Sequence, residues 1–509
     1  MQFLGKLVGR ALGFVFMLPA IALNKAGFYN LSFPIRYAVY AILGIMVGWG
    51  STETMLGIAI GFAVVTELAG FALNRSDADD EHLRGNQLVD VKTVQKMMKG
   101  EDCRFNLGEV PFPKKFETRH ILLAGTTGSG KTRVMHQILL PTRNTEGARA
   151  IIVDIGAAMV SRYYQGEGSM DVILNPRDAR SVAWSPLAEI NDLDDIPLIS
   201  SAIIPDGVGS GAEWQKYAQR LMAGVLQRVW EQGGDNAEVI RLLTRAPVEE
   251  LRDLLAGLPA EGMLREGNEK MLASVMAIIT TYTTPLAALD PSAGADSFSV
   301  TRWVMADAVK GWLFMNFSDR QIEQLKPIIT TILSVAISAT LSLKEDPNRR
   351  LFFVIDEADA LGEISGLRSL LTRGRRFGAA AVLAIQSVSQ LYTCYGRDTA
   401  NTLLSNLGTQ VILRLPDAET AEWASRTFGD EQIREEQTSS SRGLGLDGKE
   451  SISTSSQTRQ QRVVLPSEIQ NLPDLVALLN VVGDCPPCAV QIPPVNPPQV
   501  HPEFVRREA

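Results

Sequence analysis

The run Gly125-Thr126-Thr127-Gly128-Ser129-Gly130-Lys131-Thr132 has the spacing G-x-x-x-x-G-K-[ST]. These residue types in this order suit the holding of a triphosphate. The glycines let backbone N–H groups turn inward on the anion, Lys131 reaches the β- and γ-phosphates, and the Thr132 hydroxyl holds Mg²⁺. A second group of chemical interest is Asp356-Glu357, which follows the apolar run Leu351–Ile355. Paired with a phosphate loop, Asp356 would bind Mg²⁺ directly or through water, and Glu357 would polarise an attacking water. Gln386 ends another apolar run, Ala380–Ile385, where an amide can sense the γ-phosphate, orient water or simply cap the turn. The basic cluster Arg373, Arg375, Arg376 has three readings: an arginine finger reaching across a subunit boundary, a contact with nucleic-acid phosphates, or a solvated surface.

These groups need strands and helices to position them. Ile121–Leu123 reads as a buried strand leading into the glycines, and Val134–Leu139 as the start of a helix whose N-terminus faces the anion. Further strands are expected at Ala150–Asp154, Val172–Leu174, Gly311–Phe317, Leu351–Ile355, Ala380–Ile385, Gln410–Leu415 and Ala489–Ile492. Their alternation with helical stretches predicts an α/β fold with a parallel sheet. Lys131 and Asp356 lie too far apart for a few simple crossovers, so an insertion is expected. Residues 185–297 read as an all-helical domain, with helices at Glu213–Trp230, Val239–Leu255 and Met271–Tyr282. Trp214, Tyr217 and Trp230 are expected in its core. The nucleotide-binding domain is thus split into 119–184 and 298–492.

The N-terminal 75 residues differ in composition: Glu53 and Glu67 are their only acids. Residues 37–50 and 55–73 read as a transmembrane hairpin, the second long enough at about 28 Å to cross a hydrocarbon core. Lys25 and Arg36 on one side, with Arg75 and Arg84 on the other, put both termini in the cytoplasm by the positive-inside rule. Residues 3–23 read as a helix lying in the interface. An adaptor or linker is expected at 76–118, a mobile polar loop at 435–462 and an extended Pro-rich tail at 493–509.

Composition narrows the choice of partner and compartment. The net charge of −8 creates no global basic field, so contact with nucleic acid must be local. Four cysteines in 509 residues form no disulfide framework. Cys485 and Cys488 make a lone C-x-x-C, which lacks the two further ligands that zinc needs.

The order of motifs resembles the type IV secretion coupling proteins of the TraD/TrwB type, within the FtsK/HerA-like motors. The resemblance rests on R-H-I-L-L-A-G-T-T-G-S-G-K-T at 119–132, E-W-Q-K-Y-A at 213–218, F-V-I-D-E at 353–357, T-R-G-R-R-F-G at 372–378, A-I-Q-S at 384–387 and L-P-S-E-I-Q-N-L-P at 465–473. It implies a RecA-like P-loop NTPase anchored in the bacterial inner membrane. By the same resemblance it is a hexameric ATPase coupling a relaxase–single-stranded DNA complex to the secretion channel during conjugation. Carried over by position, it assigns Lys131 and Thr132 to ATP and Mg²⁺, Asp356 and Glu357 to the second motif, Gln386 to the sensor and Arg375 to the trans arginine. Two other readings share these residues: an FtsK-like double-stranded DNA translocase, and a docking receptor for secreted proteins whose assembly ATP controls.

Overall fold

The computed structural model describes residues 81–207, 211–306, 310–442 and 450–507. The expected membrane anchor, with its helices at 3–23, 37–50 and 55–73, lies outside these residues. The described chain forms two compact units. The smaller contains a three-stranded sheet in which β1 (Glu81–Gly85) pairs antiparallel with β11 (Asp430–Arg442), and β11 with β12 (Glu450–Arg462). This differs from the mobile polar loop expected at 435–462. Ser, Thr and Gln give these strands no apolar face, so their pattern reads as loop, although Thr suits a pleated backbone.

The larger unit is built on a nine-stranded sheet. Its remaining elements are β2 (Cys103–Leu107), β3 (Val110–Pro113), β4 (Ile121–Ala124), β5 (Ala148–Ile155), β6 (Val172–Ile173), β7 (Leu313–Phe317), β8 (Arg350–Ile355), β9 (Ala379–Ile385), β10 (Thr409–Ile412), β13 (Val476–Val481) and β14 (Cys485–Gln491). The sheet order is β14-β13-β10-β4-β9-β8-β5-β7-β6. From β10 to β6 every pairing is parallel, whereas β13 and β14 add an antiparallel edge. The continuous apolar runs follow from burial on both faces. Leu122 and Ala124 pack on one face and Ile121 and Leu123 on the other, and β5 alternates in the same way.

One face is covered by the long helix Asp319–Leu341 and by helices inserted between β6 and β7. Helix Ala212–Glu231 buries Leu221, Met222, Val225 and Leu226 at helical spacing. Trp214 is 38% exposed rather than in the core, and Tyr217 and Trp230 are only partly buried. The single helix expected at Val239–Leu255 is two, Asn236–Thr244 and Val248–Leu254. Pro247 lacks the amide proton and disfavours helical backbone in the residue before it. Glu189 joins the insertion to the rest: its carboxylate accepts from Trp184 Nε1, Ser299 Oγ and the N–H groups of Val300 and Thr301.

The other face is covered in part by residues expected to form a linker. Phe105, Leu107, Phe112 and Phe116, on and after the β2–β3 hairpin, are buried in the second core layer. Phe105 and Phe112 stack at 5.3 Å between ring centroids. Buried Glu117 pairs with Arg104 at 3.1 Å and with Arg350 of β8 at 2.7 Å, tying the hairpin to the sheet. Residues 86–118 therefore belong to the core of the larger unit. The linker expected at 76–118 differs from this because the aromatic positions in the stretch are few and widely spaced.

His120, before β4, is locked between two backbones. Its Nδ1 accepts from Ala381 N–H, so Nε2 carries the proton and donates to Leu371 O at 3.1 Å. Burial pushes its pKa down to about 4. A histidine held neutral stabilises the fold fully above its unfolded pKa near 6.5, and that stability is lost as the pH falls toward 4. Burial of Asp154, which pushes its pKa up to about 7, acts with the opposite sign. The two are separated by comparing the wild type with His120→Gln in urea. The stability gap should shrink by about 1.4 kcal/mol per pH unit from pH 6.5 to 4; a gap independent of pH would contradict the locked neutral ring.

Candidate nucleotide-binding site

The phosphate loop leaves the C-terminal end of β4 between β9 and β10, and both neighbours hold it. Gly125 N–H donates to Ile385 O and Thr126 N–H to Arg414 O, at 3.1 and 2.9 Å. A Cβ at Gly125 would lie 2.7 Å from Ser129 Oγ and 2.8 Å from Leu413 Cβ, so only glycine fits there. Gly128 and Gly130 take positive φ, 80° and 124°, which aims the loop back toward helix Lys131–Arg143. Leu475, itself at φ 62°, donates its N–H to Ser129 O and closes the loop from outside.

Lys131 is 7% exposed, and its Nζ donates to Gly125 O at 2.5 Å. Burial lowers its pKa, while Asp356, Glu357 and Asp359 oppose that shift. Asp356 ends β8, two strands from β4 with β9 between. Burial, reinforced by Glu357, pushes the Asp356 carboxyl up to about 6. Glu357 has φ 50°, an uncommon conformation for a side-chain-bearing residue. Gln386 Nε2 donates to Glu357 Oε1 at 2.5 Å. The structure thus brings Lys131, Asp356, Glu357 and Gln386 to the C-terminal ends of three adjacent strands.

The cavity beside Lys131, Asp356 and Glu357 has a volume of about 630 Å³ and is also lined by Thr126, Thr127, Gly128, Gly130 and Thr132, with Gln386 behind Glu357. Arg133, His136, Ile155, Ala158, Arg162, Asp474, Leu475 and Asn496 complete it. Ser129 is fully buried and braces the loop by donating to Thr126 O. A second cavity, of about 650 Å³, is lined by Asp192, Leu198, Met305 and Ser342 and contains none of these groups. The donor set of the first fits a divalent cation. Two adjacent carboxylates at Asp356 and Glu357 concentrate negative charge beside the exposed Thr132, and Mg²⁺ on a nucleotide needs only one or two protein ligands.

Arg375 is not brought to this site within its own chain. With Arg373 and Arg376 it precedes β9, at the opposite end of that strand from Gln386. Seven residues of strand set the two ends roughly 20 Å apart.

Sequence reasoning missed Asp359, which is buried and accepts from the N–H groups of Gln386 and Ser387. It fixes the turn that carries Gln386, and its signal was an acid three residues after Asp356. Asp154 is also fully buried at the tip of β5: Oδ2 accepts from Met159 and Val160 N–H, and Oδ1 has no partner among the described residues. Cys485 and Cys488 lie on β14, Cys488 in the apolar core, and no cluster of three metal-ligating residues exists among the described residues.

A mostly parallel sheet with a phosphate loop at one strand tip and a carboxylate pair at another defines a P-loop NTPase. Residues 104–493 match the sequence profile of the type IV secretion-system coupling protein DNA-binding domain. The chain belongs to that family. It is 30% identical over 458 residues to coupling protein TraD of Escherichia coli (strain K12), covering 88% of this chain and 63% of TraD. Among solved structures, the unbound conjugative coupling protein TrwBdeltaN70 superposes with a TM-score of 0.76 at 28% identity, covering 84% of this chain and 97% of that one. The plasmid coupling protein TrwB in complex with ADP and Mg²⁺ gives 0.74 at 29% identity, covering 84% and 98%.

Proposed function

We propose that this chain is an inner-membrane ATPase that couples a relaxase–single-stranded DNA substrate to a type IV secretion channel during conjugation, working as a hexameric ring. The observation that carries the reading is the convergence of Lys131, Asp356 and Glu357 on one cavity, with Gln386 hydrogen-bonded to Glu357, in a chain of the coupling-protein family. The bound ADP and Mg²⁺ of TrwB supports the same ligands here.

The residues divide the work as follows. The loop Gly125–Thr132 cradles the β- and γ-phosphates, and Lys131 neutralises charge on the transferring group. Thr132 and Asp356 hold Mg²⁺, which when bound offsets charge on the phosphate oxygens. Glu357 takes the proton of the attacking water, and Gln386, anchored by Asp359, orients Glu357 and reports the γ-phosphate. Arg375, remote from its own site, serves a neighbour's in a ring. The hairpin at 37–73 anchors the ring with both termini and the motor in the cytoplasm.

The test is the ATPase rate of the full chain with no DNA, single-stranded DNA and duplex DNA at two salt concentrations. Stimulation by single strands that fades as salt rises is the expected result, because phosphate contacts release counterions. Stimulation by duplex alone would replace this reading with that of a double-strand translocase. No DNA effect in an assembled ring would replace it with a docking receptor.

A further inference from the structure

Beyond β14 the chain runs to Arg507 across the larger unit without helix or strand. Prolines at 493, 494, 497, 498 and 502 remove backbone donors, so side chains of the nucleotide-binding domain grip its carbonyls. Arg133 Nη1 donates to Val495 O, Arg162 Nη1 to Pro497 O and Arg180 Nη1 to Pro502 O, at 3.0, 3.0 and 2.9 Å. Val500 and His501 N–H both donate to Ser161 O, and the His501 ring meets Tyr164 edge-on at 5.3 Å.

Two of these arginines, Arg133 and Arg162, also line the nucleotide cavity. The carbonyls they hold flank Asn496, an exposed residue that lines the cavity too. The backbone is therefore pinned on both sides of one carboxamide-bearing residue at the edge of the site. With the phosphates in the loop Gly125–Thr132, the sugar and base must lie along the remaining wall. Arg133 and His136 continue that wall down the helix, and the tail closes it.

We propose that Asn496 contacts the nucleobase, so that the C-terminal tail sets the base preference of the site; this rests on the nucleotide-site reading above. A carboxamide offers a donor and an acceptor side by side. It meets adenine's amino group and adjacent ring nitrogen, and after rotating by half a turn it meets guanine's carbonyl and ring N–H. The native side chain accordingly accepts both purines. A carboxylate offers only acceptors, so aspartate suits guanine's two N–H donors and repels the adenine ring nitrogen.

The test is equilibrium binding of ATP, GTP and inorganic tripolyphosphate, each with Mg²⁺, to the full chain and its variants. Asn496→Ala should weaken ATP and GTP about tenfold each, and Asn496→Asp should move the GTP-to-ATP preference at least about tenfold toward GTP. Asn496→Ala should leave tripolyphosphate affinity unchanged. In Asn496→Asp the tripolyphosphate arm measures any general effect of the added charge. Identical ATP-to-GTP ratios in wild type and Asn496→Asp, with no loss in Asn496→Ala, would overturn the assignment. Lys131→Ala in the same assay separates the two failures: if it binds tripolyphosphate as the wild type does, the site itself is misassigned.

Discussion

Replacing Lys131 by alanine should reduce ATP turnover by at least about a hundredfold, the scale set by loss of one preorganised group that stabilises transition-state charge. The electrostatics of the site make this loss large. Asp356, Glu357 and Asp359 all act on the Lys131 ammonium, which is 7% exposed. Without that charge the carboxylates of Asp356 and Glu357 line the cavity with no lysine to offset them, so binding of a triphosphate weakens along with catalysis. The fold should survive, because the lysine's recorded hydrogen bond runs to Gly125 O and the loop is braced independently through Ile385, Arg414 and Leu475. Steady-state hydrolysis with a thermal melt as control checks the point. Turnover within tenfold of wild type would remove the loop from the mechanism.

Glu357→Gln should separate binding from hydrolysis. Loss of a positioned general base costs about 10² to 10⁴ in rate, while the phosphate loop and Asp356 remain to hold nucleotide. The substitution is nearly isosteric, so the unusual backbone at φ 50° is retained and Gln386 keeps an acceptor at the same position. The variant should therefore retain ATP in a filter-binding or gel-filtration assay and fail to convert it to ADP in a single turnover. A variant that loses ATP binding outright would instead make Glu357 a binding residue.

The chemistry was more legible in the sequence than the walls around it. Lys131 and Asp356 are recognisable because phosphate binding demands glycines before the one and an apolar strand before the other, both local requirements. Gln386 was legible for the same reason, at the tip of a strand of small apolar residues. Asp359, Arg133, Arg162 and Asn496 were not, since their roles depend on partners far away in the chain: the Asp359 carboxylate meets the Gln386 backbone, and the two arginines meet carbonyls of the tail. The β2–β3 hairpin was hidden because its few aromatic residues bury themselves in a layer supplied by other segments. The β11–β12 strands were hidden because each holds a single apolar residue, Ile433 and Ile452, too few to show an alternating pattern. Arg375 shows the converse case, in which sequence offered three roles and the fold, setting it at the opposite end of β9 from Gln386, decides among none of them.

The sheet order also sets a timetable. β4 ends at Ala124, yet its two neighbours, β9 and β10, start at Ala379 and Thr409. At a synthesis rate of roughly 5–20 residues per second, β4 waits roughly 10 to 50 s on the ribosome before either partner is made. β5 waits similarly for β7 and β8. Throughout that interval β4 is unpaired, and for most of it the Lys131 and Asp356 halves of the site cannot meet. Nucleotide therefore cannot template early folding, and the nascent chain must be shielded from aggregation until translation is nearly done.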